Sequence, residues 1–194
     1  MPGHDIGAVI ESVGEGVPEF LTPGLTVTVN PYTNCGHCAA CRSGHSNACE
    51  FNETLGVQRD GAMRDYMVLP WQKVIPAQGI SPRDCALIEP MSVGFHAVSR
   101  ADVTDSDTVL VFGCGMIGVG AIVRASLRGA TVIAVDLDND KLALARRLGA
   151  TYTINSKEQD LHATLVELTS GLGPTVVVEA VGSVPTYQAA IDEV

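Results

Sequence analysis

The 194-residue sequence predicts an α/β protein in two parts, and three observations carry that expectation. Proline and glycine punctuate the first part so often that only short β-type runs fit before about residue 82. Four of the six cysteines fall inside it, between positions 35 and 49. After residue 105, β-branched runs alternate with amphipathic stretches, the pattern of parallel strands covered on both faces. The expected architecture is a small, partial β domain with a cysteine lobe over residues 1–92. An incomplete, doubly wound parallel sheet follows over residues 93–194.

Taken in order, residues 6–13, 25–29 and 63–68 read as short strands bounded by Gly or Pro. Ser81-Pro82 reads as a helix start, with Pro at the first helical position. Glu89-Pro90 is expected to break or kink that helix, and an apolar segment follows over residues 91–98. Strands are then expected at 108–112, 131–135, 152–154 and 175–178. Helices are expected at 116–128, 140–148 and 161–168, and the chain ends at Val194 inside what reads as a further helix.

Composition excludes several classes. Twelve basic against 22 acidic side chains give a net charge of −10, which disfavours nucleic acid and anionic membrane as partners. Aromatic residues are only 5%, too few for a stacking platform on single strands. Apolar residues at 46% supply a core, yet no run reaches the roughly 18 residues of a membrane span. No secretory leader is legible at the N-terminus, so a cytoplasmic location is expected.

Cys35-x2-Cys38-x2-Cys41-x7-Cys49 places four thiols within fifteen residues. Zinc takes four such ligands in a tetrahedron, and short C-x2-C steps present them from tight turns. Disulfides between neighbours this close would be strained, and no oxidising compartment is indicated. The four fill every position, so this zinc is expected to be structural. Cys85 and Cys114 stand apart and read as buried small hydrophobes.

Gly113-Cys114-Gly115-Met116-Ile117-Gly118 follows an apolar strand and opens a helix. That context turns G-x-G-x-x-G into a dinucleotide-binding turn of Rossmann type. Asp136 ends the second strand where an acidic residue should receive the ribose hydroxyls, and it would repel a 2′-phosphate. NAD is expected over NADP. His4 beside Asp5, and Glu89 inside an apolar segment, are weaker signals: a buried carboxylate is costly unless paired or metal-bound.

The order of these features is specific. Gly3-His4-Asp5-Ile6-Gly7, P-G-L-T-V, the four-cysteine lobe, D-G-A-M-R-D-Y, I-E-P-M-S-V and G-x-G-x-x-G succeed one another along the chain. In that order they resemble the zinc-dependent medium-chain alcohol/polyol dehydrogenases, in the sorbitol and sugar-acid branch. The resemblance implies a GroES-like catalytic domain with its zinc lobe and an NAD-binding Rossmann domain. It makes His4, Asp5 and Glu89 the catalytic zinc site, Asp5 standing where a glutamate is usual. It places Gly113, Gly115, Met116, Ile117, Gly118, Asp136 and Val181 along the cofactor. It also implies hydride transfer between a secondary alcohol, a polyol or sugar acid, and NAD, by a homo-oligomer (dimer or tetramer). The family carries an upstream cysteine ligand and further strands downstream, so the chain reads as an internal fragment, inactive alone. The competing readings are a non-catalytic zinc-lobe and NAD-binding module, a zinc-independent reductase of the same superfamily, and a threonine-type or other alcohol dehydrogenase.

Overall fold

In the computed structural model, which describes residues 1–194, the chain divides at Glu89/Pro90 into two compact units. In the first unit β1 (Gly7–Val9), β2 (Thr26–Val29) and β3 (Val74–Pro76) form an antiparallel sheet in the order β1-β2-β3. Its register sets Ala8 opposite Val27 and Thr28 opposite Ile75. Ile6, Val29 and Leu55 are the buried centre, with Ala8, Ala62, Met67 and Leu69 packed against them. Thr28 is buried too, and its hydroxyl donates to the Ile6 carbonyl at 2.9 Å, so the polar group is satisfied. Only one-turn helices occur before residue 82, α1 (Ala39–Arg42) being one of them.

Two sequence expectations fail here. Residues 63–68 are not a strand: Met63, Tyr66 and Val68 are exposed, and no strand of the chain lies beside them. The third strand is instead Val74–Pro76, too short to announce itself and ended by a proline. Pro90 breaks nothing. The helix begun at Ser81 ends early, as α2 (Pro82–Cys85), and α3 (Ile88–Arg100) starts two residues before the proline. Pro90 therefore falls in the first turn of α3, where its missing N–H has no intrahelical acceptor to lose.

In the second unit β4 (Thr108–Phe112), α4 (Met116–Leu127), β5 (Thr131–Asp136), α5 (Asn139–Arg147), β6 (Tyr152–Asn155), α6 (Leu161–Leu168), β7 (Val176–Glu179) and α7 (Val184–Asp192) alternate. The sheet is parallel in the order β6-β5-β4-β7. Alternate residues go to opposite faces, as the period of two requires. Val109, Val111, Val132 and Ala134 join Ala121, Ile122 and Ala125 of α4 and Leu142 of α5. Leu110, Phe112, Ile133, Val135 and Ile154 join Leu165 of α6 and Ala189 and Ala190 of α7. Both faces are covered, so the unit is doubly wound. Beyond β4 the chain winds one way through β5 and β6, then returns to β7 on the other side of β4. That reversal makes the carboxyl ends of β4 and β7 a topological switch point, where ligands bind in such sheets. Cys85 and Cys114 are buried, at 0% and 3% exposure.

Candidate functional site

The cysteine lobe is a pre-shaped thiolate cage. All four sulfurs lie within 4.8 Å of one another. Cys35 and Cys41 sulfurs are 4.0 Å apart, and Cys38 and Cys49 sulfurs 3.9 Å. That is nearly twice a disulfide bond, and all six cysteines are free. It is close to the ligand spacing around a tetrahedral ion with bonds of about 2.3 Å. Backbone N–H groups of Cys35 and Phe51 donate to the Cys49 sulfur, and those of His37 and Cys38 to the Cys35 sulfur. The Cys41 N–H donates to the Cys38 sulfur; that bond and one from the Glu50 backbone bring the Cys38 thiol down to about 6. Burial pushes the Cys41 thiol up to about 12. The donor set fits zinc.

His4, Asp5 and Glu89 form a second cluster in the same unit, again with donor atoms within 4.8 Å of one another. His4 Nε2 stands 3.9 Å from Asp5 Oδ1 and 4.0 Å from Glu89 Oε2. Glu89 is buried at 8% exposure, in the first turn of α3; Asp5 is exposed. His4 is set by backbone packing around Gly61, where a Cβ would stand 2.3 Å from the Gly3 carbonyl oxygen. One imidazole and two carboxylates suit a borderline divalent ion, and the set leaves positions open that the thiolate cage does not. Sequence reasoning missed one member of this cluster. The Tyr32 hydroxyl donates to Glu89 Oε1 at 2.5 Å, a bond that holds the phenol up at about 12. The signal was available: a lone aromatic with a polar tip, between Pro31 and the first cysteine, wants a partner for its hydroxyl.

The glycine turn lies at the switch point of the second unit. A Cβ on Gly118 would stand 1.8 Å from the Gly113 carbonyl oxygen, so the helix can pack on the strand only as glycine. Gly115 caps α4 with no side-chain hydrogen bond, and a Cβ there would meet nothing within 4 Å. Asp138, Asp160 and Ser183 cap α5, α6 and α7 with side-chain oxygens. The bare, open end of α4 fits an anionic group from outside. Met116 and Ile117 are partly exposed beside it. Val181 reaches the turn from the other strand end, its Cγ2 only 2.8 Å from where a Cβ on Gly113 would be.

Asp136 is more occupied than the sequence suggests. Its Oδ2 accepts from the Cys114 N–H at 2.7 Å, and its Oδ1 from the Leu137 and Asp138 N–H groups at 2.8 and 3.1 Å. Of the about four acceptor directions of a carboxylate, one is left, on Oδ2. Glu179 at the end of β7 is a second carboxylate bound up in its own loop. It accepts from Val181 and Gly182 N–H and from the Thr186 hydroxyl. Burial alone would raise it, but these donors win and hold it below the usual carboxylate range.

Comparison with known proteins agrees with both halves. The family description "Alcohol dehydrogenase GroES-like domain" matches residues 1–81, and "Zinc-binding dehydrogenase" matches residues 117–194. The chain belongs to the zinc-binding alcohol dehydrogenases. A sorbitol dehydrogenase of Halalkalibacterium halodurans is 35% identical over 98% of the chain and 56% of its own length. A crystal structure of an Escherichia coli CFT073 alcohol dehydrogenase complexed with NADH is 30% identical, with a TM-score of 0.87 over 99% of this chain and 57% of that one. A zinc-binding dehydrogenase of Sinorhizobium meliloti bound to NADP is 30% identical, with a TM-score of 0.88 over 96% of this chain and 55% of that one. This zinc-binding dehydrogenase chain thus spans about half the length of the relatives it matches.

Proposed function

We propose that the protein is a zinc-dependent polyol dehydrogenase that uses NAD. The observation that carries this is the His4–Asp5–Glu89 cluster, a set of harder donors kept apart from the thiolate cage. The cage closes its own ion, whereas three donors leave room for a substrate oxygen. A zinc ion held at the second cluster supplies Lewis-acid polarisation of a hydroxyl, while the bound dinucleotide supplies the hydride acceptor.

The residues divide the remaining work. His4 and Glu89 hold the ion from two distant parts of the sequence, and Asp5 adds charge on the exposed side. The carboxylate of Glu89 is a harder donor than the thiolates of the lobe, which suits a chelating diol such as a polyol or sugar acid offers. Gly115 leaves the end of α4 open to the pyrophosphate, and Gly113 and Gly118 hold the turn there. Asp136 offers its one remaining acceptor direction to a ribose hydroxyl and repels a 2′-phosphate, favouring NAD in a family with NADP-bound members. Sorbitol oxidation by the relative at 35% identity supports the polyol class. The same reading includes a cytoplasmic location, where thiolates stay reduced, and a homo-oligomeric assembly.

The test is a substrate panel on the intact protein with NAD and NADP, combined with metal analysis. Hexitols or sugar acids should outrun ethanol, NAD should outrun NADP, and two zinc ions should be found per chain. Ethanol as the best substrate, or a single zinc confined to the thiols, refutes the proposal.

A further inference from the structure

The Tyr32–Glu89 bond joins two residues that are 57 apart in sequence. It links the second donor cluster to the segment that leads into the cysteine lobe, because Tyr32 lies three residues before Cys35. The backbone around Tyr32 is tied down on both sides. Its own N–H donates to Asn30 Oδ1 at 3.0 Å, and the Leu55 N–H donates to the Pro31 carbonyl at 3.1 Å. On the far side the Thr33 N–H donates to Asn52 Oδ1 at 3.0 Å, and the Glu53 N–H to the Thr33 hydroxyl at 2.6 Å. The phenol is therefore carried on a segment braced by residues 52–55, which run on directly from Cys49. The hydroxyl meets Oε1 of Glu89, and the other oxygen, Oε2, is the one that faces His4 at 4.0 Å.

We propose that Tyr32 is a positioning residue for the second metal site: it occupies Glu89 Oε1 so that Oε2 alone is presented toward His4 and Asp5. This rests on the reading of His4, Asp5 and Glu89 as a metal site. A carboxylate free to rotate presents either oxygen, or both, and loses rotamer freedom on binding an ion. One oxygen pinned by a hydroxyl on a braced segment has already lost that freedom. Outer partners of metal ligands act in this way, and removing one costs about 10–100-fold in metal affinity. The arrangement also makes the lobe the support of the second site, since the segment bearing Tyr32 runs into Cys35.

The experiment strips the intact protein of metal and titrates it with Co2+. Thiolate charge-transfer absorption reports the lobe, and weaker ligand-field bands report the nitrogen and oxygen site. Tyr32→Phe is expected to weaken the second site about 10–100-fold and to leave the lobe within twofold. In a Glu89→Ala background the same substitution should cost nothing further, the signature of a pair that acts as one. An unchanged second site in Tyr32→Phe overturns the inference, and so does an equal loss in the Glu89→Ala background. Wild-type protein that takes Co2+ only at the thiols overturns the metal-site reading itself. A second measurement needs no removal of the hydroxyl: with fluorotyrosine incorporated, the fluorine resonance of Tyr32 should move as the second site fills and stay still in Glu89→Ala. A wild-type resonance that ignores the filling overturns the positioning role.

Discussion

Asp136 has a structural task in the turn and, on the proposed function, a selective one, and a substitution exposes both. Asp136→Ala takes the acceptor from the Cys114 N–H in a buried turn, at a cost of about 1–3 kcal/mol. It also removes the charge that opposes a 2′-phosphate. The expected result is lower thermal stability together with relaxed NAD-over-NADP discrimination, measured by melting and by titration with each reduced cofactor. An unchanged preference would mean that the strand end does not read the ribose. Glu179 gives a pH prediction. Its folded carboxyl lies below the ordinary value of 4.5, so its contribution to stability is complete above that value and is lost as pH falls through the lower folded one. Glu179→Gln should therefore cost stability at neutral pH and flatten the acid limb of a stability–pH curve.

At the scale of elements, the lobe and the α3–α4 crossing are both close arrangements. One-turn α1 cannot hold four sulfurs within 4.8 Å by its own packing, because it buries no residue. Removing the lobe ion with a chelator should leave residues 35–49 rapidly exchanging with deuterium and four thiols reactive, while β4 to β7 stay protected. Lobe thiols that remain unreactive without metal would show that packing alone holds them. In the second unit, α3 and α4 touch backbone to backbone. A Cβ on Gly94 would stand 2.2 Å from the Ile117 carbonyl oxygen, and one on Gly120 would stand 2.3 Å from the Met91 carbonyl oxygen. Gly94→Ala or Gly120→Ala must part the helices, with an expected loss of about 1–3 kcal/mol in denaturant melts. Because the opposing atoms are backbone, no rotamer change can relieve either contact.

At the scale of the whole molecule, two donor clusters of different chemistry share one unit without sharing a residue. On the proposed function, Glu89→Ala should steeply cut polyol oxidation and weaken the hold on the second zinc, with the lobe ion retained. Full activity in that variant would move the catalytic role elsewhere. Much of this organisation is legible in the amino-acid order. β4, α6 and the lobe lie where their residues predict, because β-branched runs, helical periodicity and C-x2-C spacing are local signals. The glycine turn is legible for the same reason: strand, turn and helix are contiguous, and Gly118 answers the Gly113 carbonyl of the same turn.

What the sequence by itself determined is therefore the family, the two-part architecture and the types of donor present. Beyond that resemblance, only the tertiary structure shows how donors distant in the chain meet. His4 and Glu89 are 85 residues apart, and no spacing rule brings them to 4.0 Å; the packing of the first unit does. Tyr32 gained its partner, Pro90 its harmless place in the first turn, and β3 its neighbour in the same way. Asp136 proved to serve the turn itself, since its three N–H partners come from two loops that only the parallel sheet brings together. Local periodicity carries information about each segment's own backbone. Contacts between segments distant in the chain depend on how the sheets and helices stack, and that free energy is written in no single stretch of residues.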